Sequence, residues 1–193
     1  MEFESTESVG TNTSSVRRAL DDVHLVYRVH PDAKSPENSG VNGVTVVNFG
    51  TKEDAAEWET ILFSSEMIPV VRMYSTLALD VTHVRLERAL EAVNLANYGF
   101  ILDGVIDLIP SSRRIRIRDA YRGEGRTLNP VELPHVFWAH VSKVALWNTV
   151  FQTVLFSTGP VEATLTASVI DTNAKLAADR EEAIAKIRSD VLI

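Results

Sequence analysis

Six arginines, Arg113, Arg114, Arg116, Arg118, Arg122 and Arg126, fall within fourteen residues, with only Asp119 and Glu124 as acidic neighbours. Strand alternation puts Arg114, Arg116 and Arg118 on one face. A row of planar guanidinium forks there can hold the carboxylates or phosphates of a partner. The same pattern suits a solvated outer face with Asp103 and Asp107 opposite it, and exposed ion pairs of that kind contribute little. Nucleic acid would call for stacking aromatics on that face, and only Tyr121 lies close in sequence. The expected partner is therefore a protein or peptide, and nucleic acid is not expected.

A second constellation is apolar. Between residues 136 and 156 the hydrophobic side chains wrap most of the way round a helix: Phe137, Val141, Val144 and Phe151 on one side, Trp138 and Ala145 on another, with Trp147, Val150 and Val154 between. A surface helix shows a stripe of only about 100° or somewhat more, so this one must be covered on more than one side. Core packing takes one side. For the remainder, Phe137, Trp138 and Trp147 are expected to form a homodimer contact or a groove for a partner segment, because large apolar patches are rarely left bare.

Catalytic and metal-binding patterns are weak. The histidines are His24, His30, His83, His135 and His140; His135 and His140, five apart, point roughly 140° away from each other on a helix and cannot share a metal as an i, i+4 pair does. Without cysteine there is no thiolate nucleophile and no sulfur-based zinc site. No glycine-rich phosphate loop or Gly-x-Ser-x-Gly elbow occurs, and Ser142, two residues from His140, faces elsewhere. Asp103, Asp107 and Asp119 read as surface ion-pair partners rather than acid/base groups. No catalytic residue, cofactor or metal is expected, and the chain reads as a non-enzyme. Two alternatives stay open: a small cytosolic enzyme with an unrecognised site, and a purely structural dimerisation domain.

The elements that must position these groups sit in a chain of 193 residues, 45% hydrophobic, with 26 acidic and 19 basic side chains and a net charge of −7. That length can bury roughly 70% of the surface the unfolded chain exposes. An acidic balance argues against nucleic acid or anionic membrane unless a basic patch is segregated. Residues 1–15 are polar and acidic and read as a disordered leader; they lack the basic start and apolar core of a signal peptide. The most apolar stretch is broken by Lys143, Asn148, Gln152 and Gly159-Pro160 before the ~18 clean residues a membrane span needs. A cytoplasmic location is expected.

Ser14 and Ser15 read as caps for a first helix carrying Val16, Leu20, Val23 and Tyr27. Residues 31–43 form a loop by turn chemistry, and 44–49 a strand. Residues 51–63 fit either a helix or a strand, with a strand from Trp58 preferred because 67–79 then completes a hairpin in which Pro69 sits at an edge or strand start. Asp80 reads as the cap of a helix over 81–97 closed by Gly99 in a left-handed conformation. Strands at 100–109 and 113–121 pair through a Ser111-Ser112 turn, a register that opposes Leu108 to Ile115, Ile106 to Ile117 and Asp107 to Arg116. A helix starts between Asn129 and Pro134, and residues 161–193 recover helical composition and supply one of its covers.

Val93, Asn94, Asn97, Phe100, Asp103, Ile115, Ile117, Gly123, Leu133 and Phe151 lie in a run, residues 86–158, that resembles the second half of YbjN-type proteins, a family described as bacterial sensory-transduction regulators. Residues 16–79 match it in element order. More distantly the order resembles type III secretion chaperones, which form homodimers and bind extended partner segments. The resemblance implies an α+β fold, an antiparallel sheet packed on helices in the order α-β-β-β-α-β-β-α plus a C-terminal helix. It also implies a non-enzymatic, chaperone-like binding or regulatory module, with one domain over 16–159 and a helical extension over 160–193. It brings no functional residues to transfer.

Overall fold

The computed structural model describes residues 11–191 apart from 23–26, 30–42, 50–57, 83–84, 102, 110 and 126, and only the backbone of 28–29, 43–49 and 183–191. The elements run α1 (Thr11–Asp22), β1 (Tyr27–Val29), β2 (Gly43–Phe49), β3 (Trp58–Ser65), β4 (Val70–Asp80), α2 (Leu86–Gly99), β5 (Val105–Ile109), β6 (Arg114–Arg122), α3 (Leu133–Phe156) and α4 (Val161–Val191). All six strands join one antiparallel sheet in the order β1-β2-β3-β4-β6-β5. The α+β class and element order match expectation, with β1 as an additional short strand. Residues 1–10, the part of the expected 31–43 loop up to residue 42, the 51–57 part of the ambiguous segment, and His24, His30 and His83 lie outside the described residues.

Alternation divides the sheet into two unlike faces. Thr60, Leu62 and Ser64 of β3, Val71, Met73, Ser75 and Leu77 of β4, Ile106 of β5, and Ile115 and Ile117 of β6 are buried and share the face on which the helices pack. The residues between them, among them Phe63, Arg72, Tyr74, Asp107, Arg116 and Arg118, point the other way, and no described helix covers them. The hairpin register is the one counted from the Ser111-Ser112 turn: Leu108 faces Ile115, Ile106 faces Ile117, and Asp107 faces Arg116. Arg113 closes the turn with φ 53°, its amide donating to the Ile109 carbonyl at 2.7 Å.

Several boundaries move, each for a local reason. The first helix starts at Thr11, not after Ser14 and Ser15, because its cap comes from the β3–β4 turn. The Glu66 carboxylate accepts the backbone N–H of Asn12 at 2.8 Å and of Thr13 at 2.7 Å, plus the Thr13 hydroxyl at 2.7 Å. A negative group there satisfies otherwise orphaned amides and complements the helix dipole. Burial alone would raise the Glu66 pKa, but these bonds from Thr13 and Asn12 hold it below the usual value. Asn12, buried, ties the helix down further by donating to the Ser65 carbonyl at 2.7 Å and accepting from the Leu128 amide at 2.8 Å.

Asp80 ends β4 instead of capping a helix. Val81 stays beside the sheet, buried, its N–H donating to the Arg113 carbonyl at 3.1 Å, and the helix begins only at Leu86, next to Arg85, whose N–H donates to the Thr82 carbonyl at 3.0 Å. Gly99 is the last helical residue and is not left-handed; the helix closes through Phe100 and Ile101 amides on the Ala96 carbonyl. The strand expected from residue 100 starts at Val105. It lies at the sheet edge, where Asn97 of α2 takes the place of a neighbouring strand: its amide donates to the Ile106 carbonyl at 2.8 Å and accepts the Ile106 N–H at 2.9 Å. An edge occupied in this way is a poor template for unwanted pairing.

Helix α3 starts at Leu133 with Pro134 in its first turn, where a missing N–H costs nothing. Leu133, Phe137, His140, Val144, Trp147, Phe151 and Val154 are buried along it at alternating spacings of three and four. Its second cover is α4, whose Val161, Leu165 and Val169 join Trp147, Phe151 and Val154 in the larger hydrophobic cluster. Phe137 belongs to a smaller cluster with Val16 and Leu20 of α1, Leu62, Val71, Met73, Leu128 and Leu133. His140 lies on α3 between these two clusters.

Candidate functional site

The uncovered sheet face gathers arginines from two strands, β4 and β6. Register pairs Tyr74 with Arg118, Thr76 with Arg116, Arg72 with Ala120, and Val70 with Arg122, so Arg72, Arg114, Arg116, Arg118 and Arg122 share this face. The carboxylates of the face in these strands are Glu59, Asp80 and Asp107. Asp107 serves two guanidinium groups at once. Arg116 donates to its Oδ2 from Nε at 3.1 Å and Nη2 at 2.9 Å, and Arg118 donates from Nη2 to Oδ1 at 2.8 Å, its Nε lying 2.6 Å from Oδ2. One anion between two cations leaves a surplus positive charge, and the Arg116 and Arg118 side chains remain 33% and 41% exposed. Arg114 is exposed beside them.

Aromatic rings lie on the same face. The Arg116 guanidinium sits 5.4 Å from the Tyr74 ring centroid, and Tyr74 meets Phe63 edge to face at 5.2 Å. Guanidinium–ring contacts of this geometry contribute about 0.5–1 kcal/mol at exposed sites and hold the arginine fork in place. Phe63 and Tyr74 come from β3 and β4, roughly 40 to 50 residues before the arginines, so local sequence around the arginines gives no sign of them.

Phe137, Trp138 and Trp147 are not brought together. Phe137 and Trp147 are each 3% exposed, in different clusters, whereas Trp138 is 48% exposed on the outer side of α3. Trp147 forms the floor of a groove of about 350 Å³ between the α2–β5 connection, α3 and α4, with Phe100, Leu146, Val169 and Leu176 along its walls.

A third cluster is polar and buried, and it corrects the reading of Asp119 as a surface ion-pair partner. Asp119 points into the helix-covered side, where Oδ2 lies 2.5 Å from His140 Nδ1 and Oδ1 accepts from Lys143 Nζ at 2.7 Å. His140 Nε2 is 2.7 Å from Ser75 Oγ, which is 2.5 Å from Thr60 Oγ1. A carboxylate only accepts, so His140 carries a proton on Nδ1 toward Asp119, and its Nε2 meets the Ser75 hydroxyl. Burial would raise the Asp119 pKa, but the His140 and Lys143 hydrogen bonds and their charges bring it below the usual carboxylate value. His135, by contrast, is exposed.

The order carboxylate, imidazole, hydroxyl is that of an activated serine. Here, however, Ser75 has no exposed surface and its hydroxyl is held between His140 and the equally buried Thr60 hydroxyl, so the oxygen is closed to a substrate. What the cluster does is fasten α3 to β3, β4 and β6 between the two hydrophobic clusters. Glycine is required next to it: a Cβ on Gly104, whose φ is +82°, would lie 1.9 Å from Asp119 Oδ1 and 2.6 Å from the Arg118 carbonyl. Gly104→Ala is expected to cost about 2 kcal/mol or more, from the left-handed backbone and the displaced carboxylate, read as a fall in the urea midpoint at unchanged slope.

Among the described residues no group of three His, Asp or Glu side chains is placed to hold a metal ion, and no helix is long and apolar enough to cross a membrane. No protein-family model matches the chain, and no curated protein matches it. Among solved structures the chain is similar to the crystal structure of YbjN from E. coli, described as a candidate transcription regulator, with 8% sequence identity and a TM-score of 0.40 over 84% of this chain and 92% of that one. This is the family that the pattern of residues 86–158 resembles.

Proposed function

We propose that the chain is a non-catalytic, chaperone-like binding module whose recognition surface is the open face of its sheet, and that its partner is an extended protein segment carrying acidic side chains. The observation that carries this reading is Asp107 held between Arg116 and Arg118 beside Tyr74 and Phe63. An internal carboxylate marks the geometry in which a partner carboxylate binds, and the surplus charge invites a second one. Ile61, Val105 and Ile109 lie among the arginines on the same face and give apolar partner side chains a place to rest. Trp138, half exposed on α3, is the contact we assign to self-association.

The test uses two probes, a fluorescein-labelled peptide alternating glutamate with aliphatic residues and a labelled oligothymidylate, titrated by anisotropy at two salt concentrations. The peptide is expected to bind saturably, more weakly at high salt, and more tightly than the oligonucleotide. Tyr74 and Phe63 give the oligonucleotide its chance as stacking platforms. Tighter oligonucleotide binding would transfer the face to single-stranded nucleic acid, and binding of neither probe would refute the reading.

A further inference from the structure

We infer that residues 1–10 of the chain dock on the turn end of the open sheet face, where Glu7 and Glu4 pair with Arg122 and Arg72, and thereby shorten the surface open to a partner. The docking stands on charge and reach; its effect on a partner rests on the reading of this face as an acidic-segment site. Arg72 and Arg122 are exposed, and neither guanidinium has an ion-pair or hydrogen-bond partner among the described residues. In that they differ from Arg116 and Arg118, which share Asp107. Arg122 opposes Val70 and Arg72 opposes Ala120, so the two are diagonal neighbours about 7–8 Å apart. Of the nearby carboxylates, Glu66 is engaged by α1 and Glu132 by Tyr121, which leaves the exposed Glu124 against two cations.

Residues 1–10 read MEFESTESVG, with three glutamates and no basic residue, opposite in charge to the patch. The point at which they join the fold is fixed. The Asn12 side chain donates to the Ser65 carbonyl at 2.7 Å and the Ile68 carbonyl at 3.4 Å, so Thr11, itself exposed, stands at the β3–β4 turn beside the Val70–Arg122 rung. An extended chain spans at most about 3.3–3.6 Å per residue, so Glu7, four residues before Thr11, reaches roughly 13 Å and Glu4 roughly 23 Å. Arg72 lies two residues beyond the Val70 rung, about 7 Å along the strand, so both arginines stay within reach after the chain rounds the end of the sheet. Arg116 and Arg118 lie farther along and already hold Asp107, so the two unpaired guanidinium groups take the glutamates first. A segment tethered this closely meets its site at an effective concentration on the order of millimolar, so individually weak carboxylate–guanidinium pairs suffice to populate the docked form.

The chain has no cysteine, so a nitroxide attached through Ser5→Cys sits at one place in the full chain. Its paramagnetic relaxation enhancement at the Tyr74 and Ala120 amides is expected to fall at least threefold when Arg72→Gln and Arg122→Gln are added, and again at high salt. Enhancement unchanged by both would overturn the inference. In the unlabelled chain, Glu4→Gln with Glu7→Gln is expected to tighten the acidic-peptide probe at least threefold. Glu181→Gln with Glu182→Gln, at two exposed positions of α4, removes the same charge and is expected to leave the probe's affinity unchanged; equal tightening by both pairs would overturn the inference. Relaxation enhancement that falls as expected, in a chain that binds no probe, would support the docking and refute the acidic-partner reading.

Discussion

Replacing Asp119 with alanine is expected to lower the free energy of unfolding by about 3 kcal/mol. Removing one partner of a buried charge pair costs about 3–5 kcal/mol because the other is left uncompensated. The lower end applies, since the Lys143 side chain is 25% exposed and can rehydrate. His140 cannot; it is 2% exposed and would lose the acceptor for Nδ1. Against a typical total of 5–15 kcal/mol, the loss is large enough to move a urea midpoint well outside error. The same carboxylate gives stability a pH dependence. Its folded pKa lies below the ordinary 3.8, so its contribution is complete above that value and disappears as pH falls through the lower folded value. Glu66, also lowered, acts in the same direction at the α1 cap. Asp119→Asn is therefore expected to flatten the acid limb of the stability profile, and an unchanged limb would show that the pair does not titrate with folding.

The second large effect concerns binding. Arg116→Gln with Arg118→Gln is expected to weaken the acidic-peptide probe about 100-fold or more. Each lost charge-assisted hydrogen bond is worth about 1.5–3 kcal/mol, and tenfold in affinity is about 1.4 kcal/mol. Glutamine is chosen over glutamate because two further carboxylates beside Asp107 would repel it and confuse folding with binding. The Asp107 side chain is 22% exposed, so stripping its partners leaves it in contact with water, at a cost of about 1 kcal/mol or less. A double variant that unfolds normally but no longer binds is the expected result.

What the sequence revealed and what it concealed follow from the range of each interaction. The β5–β6 register was readable because a hairpin turn fixes it locally, and the arginine face came with it. The helix-covered side of α3 was readable from its excess of apolar residues, as was the need for a second cover. Contacts across long separations were not. Glu66 caps α1 from 53 residues away, so Ser14 and Ser15 looked like the cap. Ser75 meets His140 across 65 residues, and nothing near Asp119 in sequence announces a buried imidazole, which left Asp119 looking like its exposed neighbours. Phe63 and Tyr74 reach the arginine face only through the β3-β4-β6 strand order. Gly99 illustrates the opposite error: a glycine after a helical stripe usually marks a left-handed end, yet here it is the last helical residue, and among the described residues the left-handed glycines are Gly104 and Gly125.

In the proposed binding mode Asp107 occupies, from within the chain, the place a partner carboxylate takes on the open sheet face. Asp107→Asn tests it most directly, because it empties that place while keeping both guanidinium groups and the shape of the side chain. The acidic-peptide probe is expected to bind the Asp107→Asn chain at least tenfold more tightly than the parent, with a steeper dependence on salt. Affinity that is unchanged or lower in Asp107→Asn would contradict it.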